Sequence, residues 1–195
     1  MSRTSARRSG GRAIRRPQRK SNTPLIVGAV AVGLIILIAA GLALARSAGS
    51  SVGEQFPEMV SSPHLGGLTD THEPYNSNPP TSGPHVGNTA PPGVATQPLP
   101  DELTTHNLEH GFVIIHYRQD LPQADQTRLT TLTRELQREN QCIVLVPRPT
   151  DKLDVPVAVT AWTRLLKLPS IDEAAIRNFF EARVGHGPEA LCKPL

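Results

Sequence analysis

Histidine is the residue type in this sequence that is best placed to do chemistry. Six of the seven histidines fall between residues 64 and 116, in a region otherwise rich in proline and small polar residues. His106 and His110 are four residues apart in the string HNLEH, and on a helix this spacing puts both rings on one face. Two imidazoles so placed can share a Zn²⁺ or Cu²⁺ ion. The spacing predicts a metal site that needs at least one further ligand.

The further ligands are expected from histidines upstream in the chain. His85 is the best third ligand because the stiff segment PPTSGPH would hold it in place, and His72 or His64 could supply a fourth. The expected ion is Cu(II) or Zn, since imidazole suits both and a Cu(I) site would need more soft ligands. The competing interpretation is that these are ordinary exposed histidines of a polar loop.

Glu109 lies between the paired histidines and completes the string H-x-x-E-H. In one class of zinc protease this glutamate is the general base, but the short predicted helix beside a proline-rich loop offers no cleft for a peptide. We therefore expect Glu109 to orient a histidine from outside the coordination sphere, or to be a solvated charge. We assign no catalytic residue, and we expect a binding domain rather than an enzyme.

The charge distribution and hydropathy of the chain predict a membrane anchor. Residues 1–23 contain eight Lys/Arg and no acid, whereas residues 46–195 contain 12 Lys/Arg against all 17 acids. Residues 24–45 carry no charge and would form a helix about 33 Å long, enough to cross a bilayer. The positive-inside rule puts the basic tail in the cytoplasm and residues 46–195 outside the cytoplasm, at the cell membrane.

The alternative to an anchor is a cleaved signal peptide, because Ala43-Leu44-Ala45 offers a cleavage site. The apolar stretch is longer than the usual signal peptide, which favours a single-pass anchor. Either way the membrane is the expected partner of the N-terminal part. An envelope protein is a second conceivable partner, and nucleic acid is not expected because the excess of positive charge is confined to the tail.

The two cysteines, Cys142 and Cys192, both lie in the exported part. In an oxidising compartment they could form a disulfide. They could equally stay as two thiols, one of them buried in a strand. Since the chain has no C-x-x-C motif, a dithiol redox site is not expected.

The remaining sequence predicts a small α+β domain with helices packed on one mixed sheet. Residues 46–56 are typical of a stalk, and residues 57–100 of an irregular proline-rich wrap over residues 101–195, where periodic structure begins. We expect elements in the order α-β-α-β-β-α: a helix over 101–110, a strand over 112–118, a helix to about residue 140, strands over 142–146 and 155–162, and a last helix with a capping box of Ser170 and Glu173. On the first strand, we expect His116 to face the core.

Several motifs resemble the bacterial domain-of-unknown-function 3105 family. They are YNSNPPTSGPH (75–85), PLPDE (98–102), HNLEHG (106–111) followed by VIIHYR (113–118), and TAW (160–162). The resemblance covers about residues 54–190 and implies a membrane-anchored domain with no established activity. It marks His85, His106, Glu109 and His110 as motif positions, with His64 and His72 as looser matches. This sequence departs from the family at Phe112 and Thr163, where members often carry glycine.

Two functions follow from these observations. The first is a membrane-anchored, extracytoplasmic domain that binds a transition metal through the histidines. The second is a structural or interaction domain of the cell envelope without a metal, in which the histidines hydrogen-bond backbone carbonyls and hold the proline-rich wrap in place.

Overall fold

A six-stranded mixed sheet forms the centre of the part of the chain that the computed structural model describes, residues 53–60, 64–189 and 191–195. The strands lie in the order β1-β6-β5-β3-β4-β2. In chain order the elements are β1 (Glu54–Gln55), β2 (Gly93–Val94), α1 (Asp101–Glu109), β3 (Val113–Arg118), α2 (Gln123–Glu139), β4 (Ile143–Arg148), a 3₁₀ turn (Thr150–Lys152), β5 (Val157–Ala161), β6 (Arg164–Leu168) and α3 (Glu173–Arg183).

The middle of the sheet is β3, which pairs in parallel with β4 and antiparallel with β5. Its sequence VIIHYR and the sequence IVLVPR of β4 are buried on both faces except at Arg118. Near-continuous apolar runs of this kind are what a strand covered on both sides requires. The predicted α+β class with helices on a mixed sheet is therefore confirmed.

One face of the sheet is covered by two amphipathic helices, α2 and α3. Odd-numbered residues of β3 and β4, such as Ile115 and Leu145, point to this face. The helices contribute leucines and phenylalanines at helical spacing, as the sequence predicts: Leu129, Leu132 and Leu136 from α2, and Ile176, Phe179 and Phe180 from α3.

The other face is covered by α1 and by the irregular segment that precedes it. Leu108 of α1 packs on Ile114, Val144 and Trp162. The irregular backbone is held by hydrogen bonds to the structured elements, including Thr163 N to Thr81 O at 2.9 Å. This arrangement lays residues 64–90 against α1, so that histidines far apart in the chain can meet.

The structure differs from the predicted elements in four places. Gly93–Val94, assigned to the irregular wrap, form β2 and pair with β4 at one edge of the sheet. A further strand, β6, follows β5 through a tight turn in which Thr163 has a φ of 58°. Glu54–Gln55, assigned to the stalk, pair with β6 as an edge strand. The predicted capping box of Ser170 and Glu173 is wrong, because α3 begins at Glu173 and is capped by Asp172, whose carboxylate accepts a hydrogen bond from Ala175 N at 2.9 Å.

The predicted membrane-spanning helix over residues 24–45 lies outside the described residues, as does the basic tail. None of the helices in the described ranges combines the length and apolar character needed to cross a bilayer.

Candidate metal centre

The last turn of α1 positions the HNLEH motif. The helix runs from Asp101 to Glu109 and His110 caps it with helical backbone angles, so His106 and His110 do lie on one face, with ring centroids 4.3 Å apart. Between them, Asn107 is fully buried and fixes the proline-rich wrap. Its amide accepts a hydrogen bond from Ala90 N at 2.8 Å and donates one to Ala90 O at 2.9 Å. The motif thus ties the helix end to the segment that carries the other histidines.

Four side chains meet beside this helix end, and we call them the inner group: His64, His85, His106 and Glu109. One ligand atom from each lies within 4.8 Å of every other. The ring centroids of His64, His85 and His106 are 4.8 to 5.1 Å apart. Ligand atoms around a tetrahedral Zn²⁺ ion are about 3.4 Å apart, given bonds of about 2.0–2.1 Å. To hold one ion, the ligand atoms of the inner group would have to lie closer together than the 4.8 Å limit within which they stand.

His85 is held in one orientation by its surroundings. Its side chain is fully buried, its Nδ1 lies 2.9 Å from the carbonyl oxygen of Gly83, and its Nε2 lies 2.9 Å from Oε2 of Glu109. Gly83 has a φ of +123°, and a Cβ there would stand 3.1 Å from the ring of Tyr75. Only glycine fits this position without strain, so the carbonyl that receives Nδ1–H is fixed by the motif.

This orientation leaves Nε2 of His85 facing a carboxylate oxygen. A carbonyl can only accept, so Nδ1 must carry a proton. Nε2 and the Glu109 oxygen then need a positive centre between them, either a proton or a metal ion. Second-shell hydrogen bonds from a ring N–H to a backbone carbonyl are the usual way in which a metal-ligating histidine is oriented.

His106 has a buried ring nitrogen that makes no well-formed hydrogen bond among the described residues. The residue is 6% exposed, and this nitrogen is Nδ1. Burial lowers the pKa of His106, and the neighbouring imidazoles of His110 and His85 lower it further, against the opposing effect of the Asn88 backbone. The ring is therefore neutral at neutral pH, which is the form that binds a metal.

A second set of ligand atoms adjoins the first, and we call it the outer group: His106, His110 and Glu189. These three also offer ligand atoms within 4.8 Å of one another, and His110 Nε2 lies 3.0 Å from Glu189 Oε2. Glu189 belongs to the segment after α3, which no predicted element includes. Its carboxylate reaches the helix end because the last residues of the chain pack there.

The disulfide between Cys142 and Cys192 holds this last segment at the start of β4. Cys192 N donates to His110 O at 3.0 Å, and Glu189 N donates to Glu109 O at 3.2 Å. Gly187 lies so close to the helix end that a Cβ would stand 2.2 Å from Glu109 O. This segment after α3, residues 184–189 and 191–195, is the C-terminal tail, and it forms one wall of the outer group.

The remaining histidines lie elsewhere. His72 is outside both groups: its Nε2 is 3.2 Å from Glu102, at the first turn of α1, and its Nδ1 is 2.7 Å from Glu73 O. The carbonyl of Glu73 raises the pKa of His72. Burial lowers this pKa by less, and the Glu102 carboxylate raises it further. His116 faces the α1 side of the sheet and bonds Thr160 at 3.0 Å, and His186 lies in the tail.

Glu109 was expected outside the coordination sphere, but its carboxylate lies among the possible ligand atoms of the inner group. Its Oε2 lies 2.9 Å from His85 Nε2, and the same oxygen lies 3.7 Å from His64 Nε2 and counts among the ligand atoms of the inner group. Glu189 was missed altogether, because nothing in the GHGPEA sequence indicates that it returns to α1.

Three borderline imidazole nitrogens and one carboxylate oxygen are a donor set that fits Zn²⁺ or Cu²⁺. Among the described residues, the softer sulfur ligands have other partners. Both cysteines form the disulfide, and the Met59 sulfur accepts a hydrogen bond from Asn76 N. The chemistry of the site therefore fits a divalent transition metal better than Cu(I).

No curated protein and no solved structure matches the chain. A family model described as "Protein of unknown function (DUF3105)" matches residues 69–194. This range takes in His72 and His85, the whole of α1 and the tail with Glu189, whereas His64 lies just before it. The chain therefore belongs to the DUF3105 family, whose activity is not established.

Proposed function

We propose that this domain binds one divalent transition-metal ion, Zn²⁺ or Cu²⁺, through His64, His85, His106 and Glu109. One observation carries the proposal: four side chains from two separate segments bring their ligand atoms within 4.8 Å of one another. The Nδ1 of His106, which is buried without a well-formed hydrogen bond among the described residues, and the carbonyl-bound ring of His85 further support it.

The number of ligands favours holding a metal over catalysis with it. Structural zinc sites are closed by four protein ligands, whereas catalytic sites keep one position for water or substrate. The inner group offers four protein ligands, and two of them are well shielded, with His85 fully buried and the Glu109 side chain 12% exposed. We infer a metal-binding module rather than a hydrolase, despite the H-x-x-E-H string.

We further propose that the domain does this outside the cytoplasm, anchored by residues 24–45. The support is the uncharged stretch of 22 residues and the basic residues that precede it, together with a disulfide, which is typical of oxidising compartments. In this place the domain would hold a metal ion at the outer surface of the membrane.

The test is metal binding by the full-length chain, purified in mild detergent and titrated with Zn²⁺ and Cu²⁺ by calorimetry near pH 7, with metal content measured after dialysis. We expect about one ion per chain. His85→Ala should lose binding, because it removes a fully buried ligand. The matched control is His72→Ala, which removes another histidine of the same segment and should leave binding intact. Wild-type protein that binds neither ion would refute the proposal.

A second candidate is a structural domain without a metal, in which histidines fasten the proline-rich wrap. The contacts of His72 with Glu102 and of His85 with Glu109, which join the wrap to α1, favour it. It predicts that His106→Ala lowers the melting temperature by the same amount with and without added metal. A melting temperature that rises with metal in the wild type, and not in His106→Ala, would decide for the metal site.

A further inference from the structure

The outer group consists of His106, His110 and Glu189, and it shares only His106 with the inner group. Its ligand atoms lie within 4.8 Å of one another, as closely as those of the inner group. The side chains of His110 and Glu189 are 17% and 46% exposed. The outer group is therefore a three-ligand set that is open to solvent on the Glu189 side.

The position of Glu189 follows from specific packing of the tail. The backbone of the tail bonds the end of α1 at three places: Gly185 N to Gly111 O, Glu189 N to Glu109 O, and Cys192 N to His110 O. The side-chain amide of Asn140 adds a hydrogen bond to Lys193 O at 2.7 Å. The backbone that carries Glu189 is therefore placed against the end of α1 by the fold.

The shared residue limits how the two groups can be used. A neutral imidazole has one unprotonated nitrogen, and coordination through both nitrogens would require the loss of its second proton. His106 can therefore serve the inner group or the outer group, but a neutral ring does not serve both at once. An ion at one group therefore excludes a second ion at the other.

We propose that the outer group is a second, alternative position for the metal ion, through which an ion can pass between solvent and the inner group. This rests on the proposed function, because the ion is the one that the inner group holds. The outer position has three ligands and more solvent exposure, so it should bind more weakly. It is a position for loading or release.

The experiment isolates the outer position by disabling the inner one. In the full-length chain, His85→Ala with Glu109→Gln removes two inner ligands and leaves His106, His110 and Glu189. We expect this double variant to bind about one Cu²⁺ or Zn²⁺ ion, more weakly than the wild type. Adding Glu189→Gln should abolish that binding. Glu181→Gln, which removes an exposed carboxylate of α3 outside both groups, is the matched control and should leave it unchanged. If the double variant does not fold, as judged by circular dichroism, His64→Ala with Glu109→Gln carries the same test.

The outcomes separate this inference from the proposed function. If the wild type binds about one ion and the folded double variant binds none, the outer position is refuted and the inner site stands. If binding by the double variant survives Glu189→Gln, the outer position is also refuted. If the wild type binds about two ions at saturation, the exclusive use of His106 is refuted. If the wild type binds none, the proposed function itself fails.

Discussion

His85 and Glu109 face each other across 2.9 Å, from Nε2 to Oε2, while the other nitrogen of the His85 ring is engaged by Gly83 O. Since Nδ1 must donate to the carbonyl, a proton or a metal ion has to lie between the ring and the carboxylate. The two can replace each other, so metal binding and proton release are linked.

We predict that Glu109→Gln binds the metal ion more weakly than the wild type, because it replaces a charged carboxylate of the inner group by a neutral amide. Calorimetric titration of both proteins with Zn²⁺ and Cu²⁺ near pH 7 measures the loss of affinity. Equal affinities in wild type and Glu109→Gln would contradict this account.

His116 should make the domain acid-sensitive. Complete burial, and to a smaller extent Arg148, hold the pKa of His116 well below 6.5 in the folded protein. The unfolded chain therefore binds a proton below about pH 6.5 that the native state does not, and native stability falls as pH falls from about 6.5, by up to about 1.4 kcal/mol per pH unit. Above that pH the group has no effect.

The substitution that tests this is His116→Gln, which can keep a hydrogen bond to Thr160 but cannot take up a proton. Urea unfolding between pH 5 and pH 7.5 should show wild type losing stability relative to the variant as pH falls. A difference between the two that stays constant over this range would show that His116 does not titrate on unfolding.

The disulfide should contribute a large part of the stability of the domain. Cys142 and Cys192 are 50 residues apart in sequence, and in the chain-entropy model closing such a loop stabilises by about 4 kcal/mol. We expect the double substitution Cys142→Ser and Cys192→Ser to lower the free energy of unfolding by an amount of that order, measured in urea without reductant. Wild type treated with reductant should approach the variant, whereas unchanged unfolding of the variant would contradict the prediction.

Thr163 should be a site of backbone strain. Its φ of 58° lies in the left-handed region, which costs a residue with a Cβ about 1–2 kcal/mol and is worst for β-branched side chains. Thr163→Asn should raise the free energy of unfolding by about 1 kcal/mol, because asparagine tolerates this region. Thr163→Val keeps the β-branch and should give no gain. Thermal unfolding of both variants provides the comparison.

The same turn explains why the sequence did not reveal β6. Two-residue hairpins are recognised by glycine or asparagine at positions with positive φ, and here threonine stands in the turn between Ala161 and Arg164. The strand RLLKL also lacks strict alternation, with Lys167 as its one exposed residue. By contrast, β3 and β4 are long apolar runs, and α2 and α3 have clear helical spacing, so local pattern sufficed for them.

Only the part of the candidate site that lies on α1 could be predicted from the sequence. The spacing of His106 and His110 on a helix follows from the sequence, because it depends on one turn of α1. Which upstream histidine joins them depends on how the irregular segment folds back, and nothing local distinguishes His72, beside Glu102 at the start of the helix, from His85 at its end. Glu189 depends on tail packing and on the disulfide, which are not visible as periodicity.

The segment that carries Glu189 also sets the order in which the outer group can be completed. The outer group joins α1 to a residue that follows α3, so β4 to β6 and α3 are synthesised before it can form. A growing polypeptide therefore carries His106 and His110 before the third side chain of the group exists. Under the proposed function, an ion could be held at the outer position only once the segment after α3 has packed against α1.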